Sequence, residues 1–337
     1  MENVRLSLRL LLDLFSWTES PFYLFIRALP VSYRTCLYMT PDDVRYLRGS
    51  KALEMAVLNF QFICRQYAYF FNRLQNSHLP FASAFCFEDY RWAVSTVMTR
   101  NNSLPKIMSD VKERCLVPLW DMVNHKFGKI TTHFDPKSEE LVFHAMETVT
   151  AGEQIFMDYG KRTNAELLLF SGFVPVKNPH NHIPITLGVS SSDPLHMKRL
   201  RLLQLVGLEC PLERNITGDL SSLWDLITFA RIFVMDEAQL DHYLLSEDSA
   251  LSALRMRSLD FNSLLDAKSA DFLTKRFQLL IMTYGSVLTE SDPGFSQLSA
   301  MQRNCERLRA QEVNLLRASL QAIHDTRGLH LLPLLTG

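Results

Sequence analysis

The chain has 337 residues, of which 47% are hydrophobic and 21% are charged, and its formal net charge is −1. This length is sufficient for two domains of ordinary size. Lys and Arg are not in excess and no run of 18 apolar residues occurs, so we expect neither nucleic acid nor a membrane as a partner.

The first hundred residues are predicted to be mostly helical. Residues 4–15 form an apolar run interrupted by charges, and no small-residue cleavage site follows, so we expect a buried helix rather than a secretion signal. Thr40, followed by a proline and two aspartates, is typical of a helix N-cap. Apolar residues recur at helical spacing over residues 51–75 and 87–100, which predicts two longer amphipathic helices.

The middle of the chain has the pattern of β-strands. Residues 130–134 and 140–146 alternate between polar and apolar side chains and flank a turn sequence at 135–138, which predicts a β-hairpin. Further strands are predicted over residues 154–159 and 183–189. We therefore expect a small β region between two helical regions.

A short helix is predicted between the last two of these strands. Thr163 and Glu166 have the spacing of a capping box, and Gly172 is suited to the left-handed backbone conformation that ends many helices. Beyond residue 190 the pattern becomes helical again, with a Ser-Asp-Pro start signal at 192–194 and a last long helix over 302–323.

These patterns together predict an α+β fold in three parts. Residues 1–100 would form a helical segment, residues 101–189 a small β core, and residues 190–325 an all-helical domain. The boundary between the last two parts is placed near Ser190.

Motifs for several common functions are missing from the sequence. No Gly-x-Gly occurs among the twelve glycines, which excludes a Rossmann fingerprint and a phosphate-binding P-loop. The six cysteines contain no CxxC pair, which argues against a structural zinc site and favours a reducing compartment. His180 and His182 have ligand-like spacing, but a polar loop accounts for them, and we predict no metal site.

Several short motifs occur in a fixed order over the first half of the chain. They are RQYAYF at 65–70, YRWAVSTVMTR at 90–100, WDMVNH at 120–125, YGKRTNAE at 159–166 and SGF at 171–173. Each is a weak signal alone, but their order and spacing resemble the C-terminal half of a SET-domain methyltransferase. The chain resembles the group that carries a Rubisco-methyltransferase-type substrate-binding domain, and within it the actin-histidine N-methyltransferases, over roughly residues 20–325.

This resemblance implies an enzyme that uses S-adenosyl-L-methionine to methylate the tele nitrogen of an actin histidine. It further implies an actin-binding monomer in the cytoplasm, and also in the nucleus. The residues that it assigns to cofactor binding are Arg100, Asp121, Met122, Val123, Asn124, His125, Ser171, Gly172 and Phe173. Arg100 would pair with the cofactor carboxylate, and Phe173 would offer a ring face to adenine.

The resemblance assigns catalysis to Tyr159 and Asn102, and substrate binding to the same two residues together with Trp120 and Arg162. A histidine side chain is mostly neutral at pH 7, so its methylation requires the correct tautomer, which a fixed amide can select. A lysine must instead lose a proton, at a cost of roughly 4–5 kcal/mol. Asn102 lies where the histidine-methylating relatives have such an amide, and therefore favours histidine.

The sequence also departs from the family. Nothing before Leu24 resembles the N-terminal strand region with its glycine-containing cofactor turn, so we expect a shortened form of the enzyme that exposes unpaired strand edges. Asn101, Val123 and Asp158 stand where the relatives have Gln, Cys and Phe. Two alternatives remain open from the sequence: a protein-lysine methyltransferase, and a catalytically impaired actin-binding form.

Overall fold

The computed structural model describes residues 2–75, 77–79, 81–105, 112–135 and 137–329. Its α-helices are α1 (Glu2–Ser16), α2 (Tyr23–Ala28), α3 (Pro41–Arg45), α4 (Ala52–Leu74), α5 (Phe87–Arg100), α6 (Asn164–Ser171), α7 (His196–Leu205), α8 (Trp224–Val234), α9 (Glu237–Leu244), α10 (Asp248–Leu254), α11 (Leu264–Tyr284) and α12 (Ala300–Leu329). Its strands are β1 (Asn102–Pro105), β2 (Lys112–Cys115), β3 (Asn124–His125), β4 (Thr132–Asp135), β5 (Glu140–Phe143), β6 (Phe156–Met157), β7 (Ile183–Leu187) and β8 (Leu212–Ile216). The predicted α+β class is confirmed.

The chain folds into two compact units. The first contains the residues up to Leu47, Lys51–His180 and Ser296–Cys305, and the second contains Arg48–Ser50, Asn181–Phe295 and the chain from Glu306 onward. All residues assigned to catalysis, cofactor and substrate lie in the first unit. The strand β7 belongs to the second unit.

The first unit begins with the predicted buried helix, which is confirmed. Leu10 and Leu11 of α1 are 5% and 0% exposed and pack in one cluster with Tyr90 of α5. Two of the charges in the apolar run, Arg9 and Asp13, neutralise each other because they lie one turn apart and form a 2.8 Å ion pair. Charges at this spacing therefore do not prevent the helix from packing.

The predicted helix caps of the first unit are also confirmed. The Thr40 hydroxyl accepts the backbone N–H of Asp43 in a capping box at the start of α3. Thr163 and Glu166 form the same arrangement at the start of α6, and Gly172 ends that helix at φ 83°. These starts and stops are set by neighbouring residues, which makes them predictable from sequence.

The strands form four two-stranded sheets within the described residues. The predicted hairpin is present as β4–β5, with Thr132 opposite Phe143, although Pro136 of its turn lies outside the described residues. Strand β6 has two residues rather than the predicted six. It pairs in parallel with β3, which places His125 opposite Met157. This pairing positions the candidate site.

Four strands, β1, β2, β3 and β8, were not predicted. β1 and β2 pair antiparallel, and their sequences lack the alternating apolar residues that indicate a strand. β8 pairs with β7, so the region after residue 190 is not all-helical as expected. Only the end residues of β8, Leu212 and Ile216, are buried, and the three residues between them are polar. Such strands exist because of their partners rather than their own composition.

The second unit packs around α8. Seven of its eleven residues, Leu226 to Ile232, are buried, and the guanidinium of Arg231 pairs with the Asp266 carboxylate on α11 at 2.6 Å. Helix α7 begins at His196, later than the predicted start at 192–194. Asp193 instead accepts the N–H of Leu195 and pairs with Arg199, so it forms a turn and a charge pair. No described helix has both the length and the apolar character needed to cross a membrane.

We predict that Gly172→Ala destabilises the protein more than Gly152→Ala. Both glycines have positive φ, 83° and 90°, which costs an alanine about 1 kcal/mol or more. A Cβ at Gly172 would also lie 2.8 Å from the carbonyl oxygen of Arg34, whereas a Cβ at Gly152 would meet nothing within 4 Å. Urea unfolding should therefore show a loss of at least about 2 kcal/mol for Gly172→Ala and about 1 kcal/mol for the control. Equal losses would contradict this account.

Candidate active site

The candidate site is built where two short parallel strands end. The backbone N–H of Tyr159, two residues beyond β6, donates to Nδ1 of His125 at 3.1 Å, and the two ring centroids are 5.0 Å apart. Because Nδ1 accepts this bond, the neutral ring carries its hydrogen on Nε2. Burial lowers the pKa of His125 and favours this neutral form. Two motifs 34 residues apart in sequence thus form one structural unit.

The Tyr159 phenol is held at its other end by the backbone. Its hydroxyl donates to the carbonyl oxygen of Val123 at 2.8 Å, which leaves the lone pairs of the phenol oxygen available as acceptors. Burial is the largest cause that raises the pKa of Tyr159, so the phenol stays protonated at neutral pH. The following residue, Gly160, has φ 88°, a conformation that favours glycine.

Arg100 and Asp121 form a buried pair beside this phenol. The Arg100 guanidinium donates to the backbone oxygen of Asp121 at 2.8 Å and lies 3.5 Å from its carboxylate, whose side chain is 0% exposed. Neither carboxylate oxygen has a hydrogen-bond partner within the described part of the chain, nor does Nε of Arg100. Burial raises the pKa of Asp121 to about 6, although the nearby Arg100 opposes the shift.

These groups line one cavity of about 370 Å³, which we call the Tyr159 cavity. The sequence-predicted site residues in its wall are Arg100, Asn102, Trp120, Asp121, Val123, Tyr159 and Arg162. The Asn102 amide donates to the carbonyl oxygen of Arg100 at 3.0 Å, which leaves its own oxygen as an acceptor. The structure thus brings together all four residues expected to bind substrate.

The other predicted cofactor residues lie outside the wall of this cavity. They are Met122, Asn124, His125, Ser171, Gly172 and Phe173. The His125 ring lies among three aromatic rings, with centroid distances of 4.4 Å to Phe127, 5.0 Å to Tyr159 and 5.9 Å to Phe173. Nε2 of His125 and Oγ of Ser171 are buried, and neither has a hydrogen-bond partner among the described residues.

Comparison with known proteins identifies the relatives of this chain. It is 35% identical to the actin-histidine N-methyltransferase of Gallus gallus over 305 residues, covering 88% of this chain and 51% of the relative. It is also 35% identical to the corresponding enzyme of Homo sapiens over 298 residues, covering 86% of this chain and 50% of the relative. The chain is a homologue of the actin-histidine N-methyltransferases. It spans about half the length of these curated relatives.

The fold resembles that of solved SET-domain structures. Residues 190–316 match the sequence model of the family described as Rubisco LSMT substrate-binding. The chain superposes on the SET domain of LSMT bound to lysine and AdoHcy with a TM-score of 0.71 and 19% identity, over 94% of this chain and 73% of the other. It superposes on Rubisco LSMT bound to AdoMet with the same TM-score and 18% identity, over 99% and 80%.

Two side chains of the site were not assigned a role by the sequence. Thr132 on β4 accepts a hydrogen bond from the Trp120 indole at 3.3 Å and so fixes the ring in the cavity wall. Asp158, noted only as a departure from the actin-histidine N-methyltransferases, lies in that wall and accepts the backbone N–H groups of Gly128 and Gly160. Thr132 gave no signal because its partner lies in a separate element. Among the described residues, no group of three or more His, Cys, Asp or Glu side chains could hold a metal ion.

We predict that Asp121 makes the stability of the free protein depend on pH. Its pKa of about 6 in the folded protein is above the ordinary value of 3.8, so the folded state binds the proton more tightly than the unfolded state. The free energy of unfolding therefore falls as pH rises from about 4 to about 6. The fall should be on the order of 3 kcal/mol. Asp121→Asn removes the titrating group and should lack this fall.

Urea unfolding of the wild type and Asp121→Asn checks this prediction at several pH values between about 3.5 and about 7.5, a range that includes the expected window of about 4 to 6. The stability of the variant relative to wild type should increase through that window and stay level above it. A difference that is constant with pH, or that changes in the opposite direction, would show that the carboxyl is not in an unfavourable site.

Proposed function

We propose that this chain binds S-adenosyl-L-methionine and transfers one methyl group from it to the tele nitrogen of an actin histidine. The observation that carries the proposal is the Tyr159 cavity, in which Asn102, Trp120, Tyr159 and Arg162 meet. The names of the homologues support actin as the substrate. The chain spans about half the length of those relatives, so their methyltransferase activity is a proposal for this chain.

The buried polar atoms without partners fit the cofactor. Nε of Arg100 is a donor suited to a carboxylate, and the Asp121 oxygens are acceptors suited to an ammonium or to hydroxyl groups. Nε2 of His125 and Oγ of Ser171 are further buried groups that need a partner, and the Phe173 ring offers an apolar face. When bound, the cofactor supplies an electrophilic methyl group attached to a sulfonium. Met122, Val123, Asn124 and Gly172 would complete its surroundings with backbone groups.

Tyr159 positions the acceptor of the methyl group. Its hydroxyl hydrogen is directed to the Val123 carbonyl, so its oxygen presents only lone pairs to the cavity. Such an oxygen can accept a hydrogen bond, or weak C–H contacts from a polarised methyl group. Since the phenol remains protonated, it acts by orientation and not as a base.

Asn102 selects histidine over lysine in this proposal. Its side-chain N–H is bonded to the Arg100 carbonyl, so its oxygen can accept the N–H of a target imidazole and fix one tautomer. A neutral imidazole in that tautomer presents a free lone pair on its other nitrogen. A lysine would need a base, but of the carboxylates in the wall Asp158 is already bonded to backbone N–H groups and Asp121 is paired with Arg100.

Lysine methylation is the second candidate, and one observation favours it. The chain has the fold of structures described as the SET domain of LSMT bound to lysine. Locating the modified side chain by peptide mass spectrometry distinguishes the two. Methylation confined to lysine would replace the histidine proposal and leave the cofactor proposal intact.

We also propose that the chain acts as a monomer that binds actin in the cytoplasm, and also in the nucleus. The homologues' name supports actin as the bound protein. Co-sedimentation with actin and sedimentation equilibrium of the free chain test these two points separately. A chain that binds actin without transferring a methyl group would fit the catalytically impaired form.

We predict that Tyr159→Phe lowers the rate of methyl transfer about 100-fold, because misplacing the reacting groups by about 1 Å can have an effect of that size. Tyr90→Phe is the matched control: its hydroxyl is also hydrogen-bonded, to Gln66 at 2.8 Å, but it lies outside the Tyr159 cavity. Time courses with unmethylated actin, read by mass spectrometry, measure both. Equal rates for the two variants would remove Tyr159 from the mechanism.

We predict that Asn102→Ala also lowers transfer to histidine, by at least about tenfold, since the imidazole loses the group that selects its tautomer and hydrogen bonds of this type contribute about 1.5 kcal/mol. Asn59→Ala, which removes an amide bonded to the Met55 carbonyl on α4, is the control and should leave the rate unchanged. Circular dichroism confirms folding. Normal turnover by folded Asn102→Ala would refute the tautomer argument.

A further inference from the structure

Asp158 joins the two chain segments that leave the parallel strands β3 and β6. Its Oδ2 accepts the backbone N–H of Gly128 at 3.0 Å, and its Oδ1 accepts the backbone N–H of Gly160 at 2.8 Å. One segment follows His125 and the other contains Tyr159. A single carboxylate therefore bridges the backbone on both sides of the His125–Tyr159 contact.

This bridge matters because the backbone pairing around it is short. Each strand has only two residues, and beyond them one further backbone bond, from the N–H of Lys126 to the carbonyl of Met157 at 3.0 Å, joins the two segments. Such a short pair is weakly held by its ladder alone. Asp158 continues the connection with its side chain at the point where the ladder stops.

The same bridge fixes the turn that carries the phenol. Tyr159 is bonded through its backbone N–H to His125 and through its hydroxyl to Val123. Its next residue, Gly160, has its N–H bonded to Asp158 and adopts φ 88°. Without the carboxylate, the N–H of Gly160 would lose this acceptor, and the positive-φ turn that follows Tyr159 would be less constrained.

We infer that Asp158 is a positioning residue that holds Tyr159 in place for methyl transfer. It acts through the backbone rather than by touching the substrate, although it lies in the wall of the Tyr159 cavity. Both of its oxygens are engaged by N–H donors, which suits a charged acceptor better than a neutral one. The inference rests on the proposed function for its catalytic consequence, but the bridge itself can be tested without activity.

Amide hydrogen exchange tests the bridge directly. The chain has twelve glycines, and Gly128 is the only one that follows a phenylalanine, so ¹⁵N-glycine with ¹³C-carbonyl phenylalanine identifies its amide signal without ambiguity. Asp158→Ala should accelerate exchange of the Gly128 amide at least about tenfold, because that amide loses its acceptor. Glu153→Ala is the matched control, since Glu153 accepts the N–H of Thr150 three residues earlier, in a local turn. Unchanged exchange at Gly128 in Asp158→Ala would overturn the inference.

Kinetics test the consequence for catalysis. Asp158→Ala should lower kcat at least about tenfold while KM for the actin substrate changes less than about threefold, because orientation of Tyr159 is lost and substrate contacts are kept. Asp158→Asn keeps one accepting oxygen and should give an intermediate kcat. A raised KM with unchanged kcat would mean that Asp158 contacts the substrate, and would overturn the positioning role. A wild-type chain that transfers no methyl group would contradict the proposed function, while the exchange result would still decide whether Asp158 holds the turn.

Discussion

The candidate site depends on the parallel pairing of two short strands, β3 and β6, with two residues each. Strands β3 and β6 bring His125 opposite Met157, and the N–H of Tyr159 then reaches Nδ1 of His125 at 3.1 Å. Without that pairing, the Asn-His and Tyr-Gly motifs would remain 34 residues apart with no reason to meet. The tautomer of His125, the placement of the phenol and the bond from Tyr159 to Val123 all follow from it.

The buried polar atoms around this pairing explain why the site is suited to a polar cofactor. A buried polar group without a partner costs about 1–3 kcal/mol. Such groups are Nε of Arg100 and both carboxylate oxygens of the neighbouring Asp121, together with Nε2 of His125. A ligand that supplied donors and acceptors to these atoms would remove the cost, which makes the free site less stable than the bound one and couples binding to stability.

The sequence predicted the locally determined features and missed those that depend on distant partners. The capping boxes at Thr40 and Thr163 and the helix end at Gly172 each depend on residues within one turn, and all three are present. The strand β8 was missed because only its two end residues are apolar and its pairing with β7 forms it. The site residues came from motif order, since spacing alone could not show that Asn102 and Arg162 share a cavity. The bridge formed by Asp158 could not be predicted, because one of its two partners, Gly128, lies 30 residues earlier.

We propose that this chain holds S-adenosyl-L-methionine with the buried Arg100 and Asp121 groups of the Tyr159 cavity, and calorimetric titration of the purified chain with the cofactor measures this binding. We expect saturable one-to-one binding that is at least about tenfold weaker in Arg100→Met, since a charge-assisted contact contributes about 1.5 kcal/mol or more. A folded chain without saturable binding, or an Arg100→Met variant that binds as tightly as the wild type, would refute this proposal.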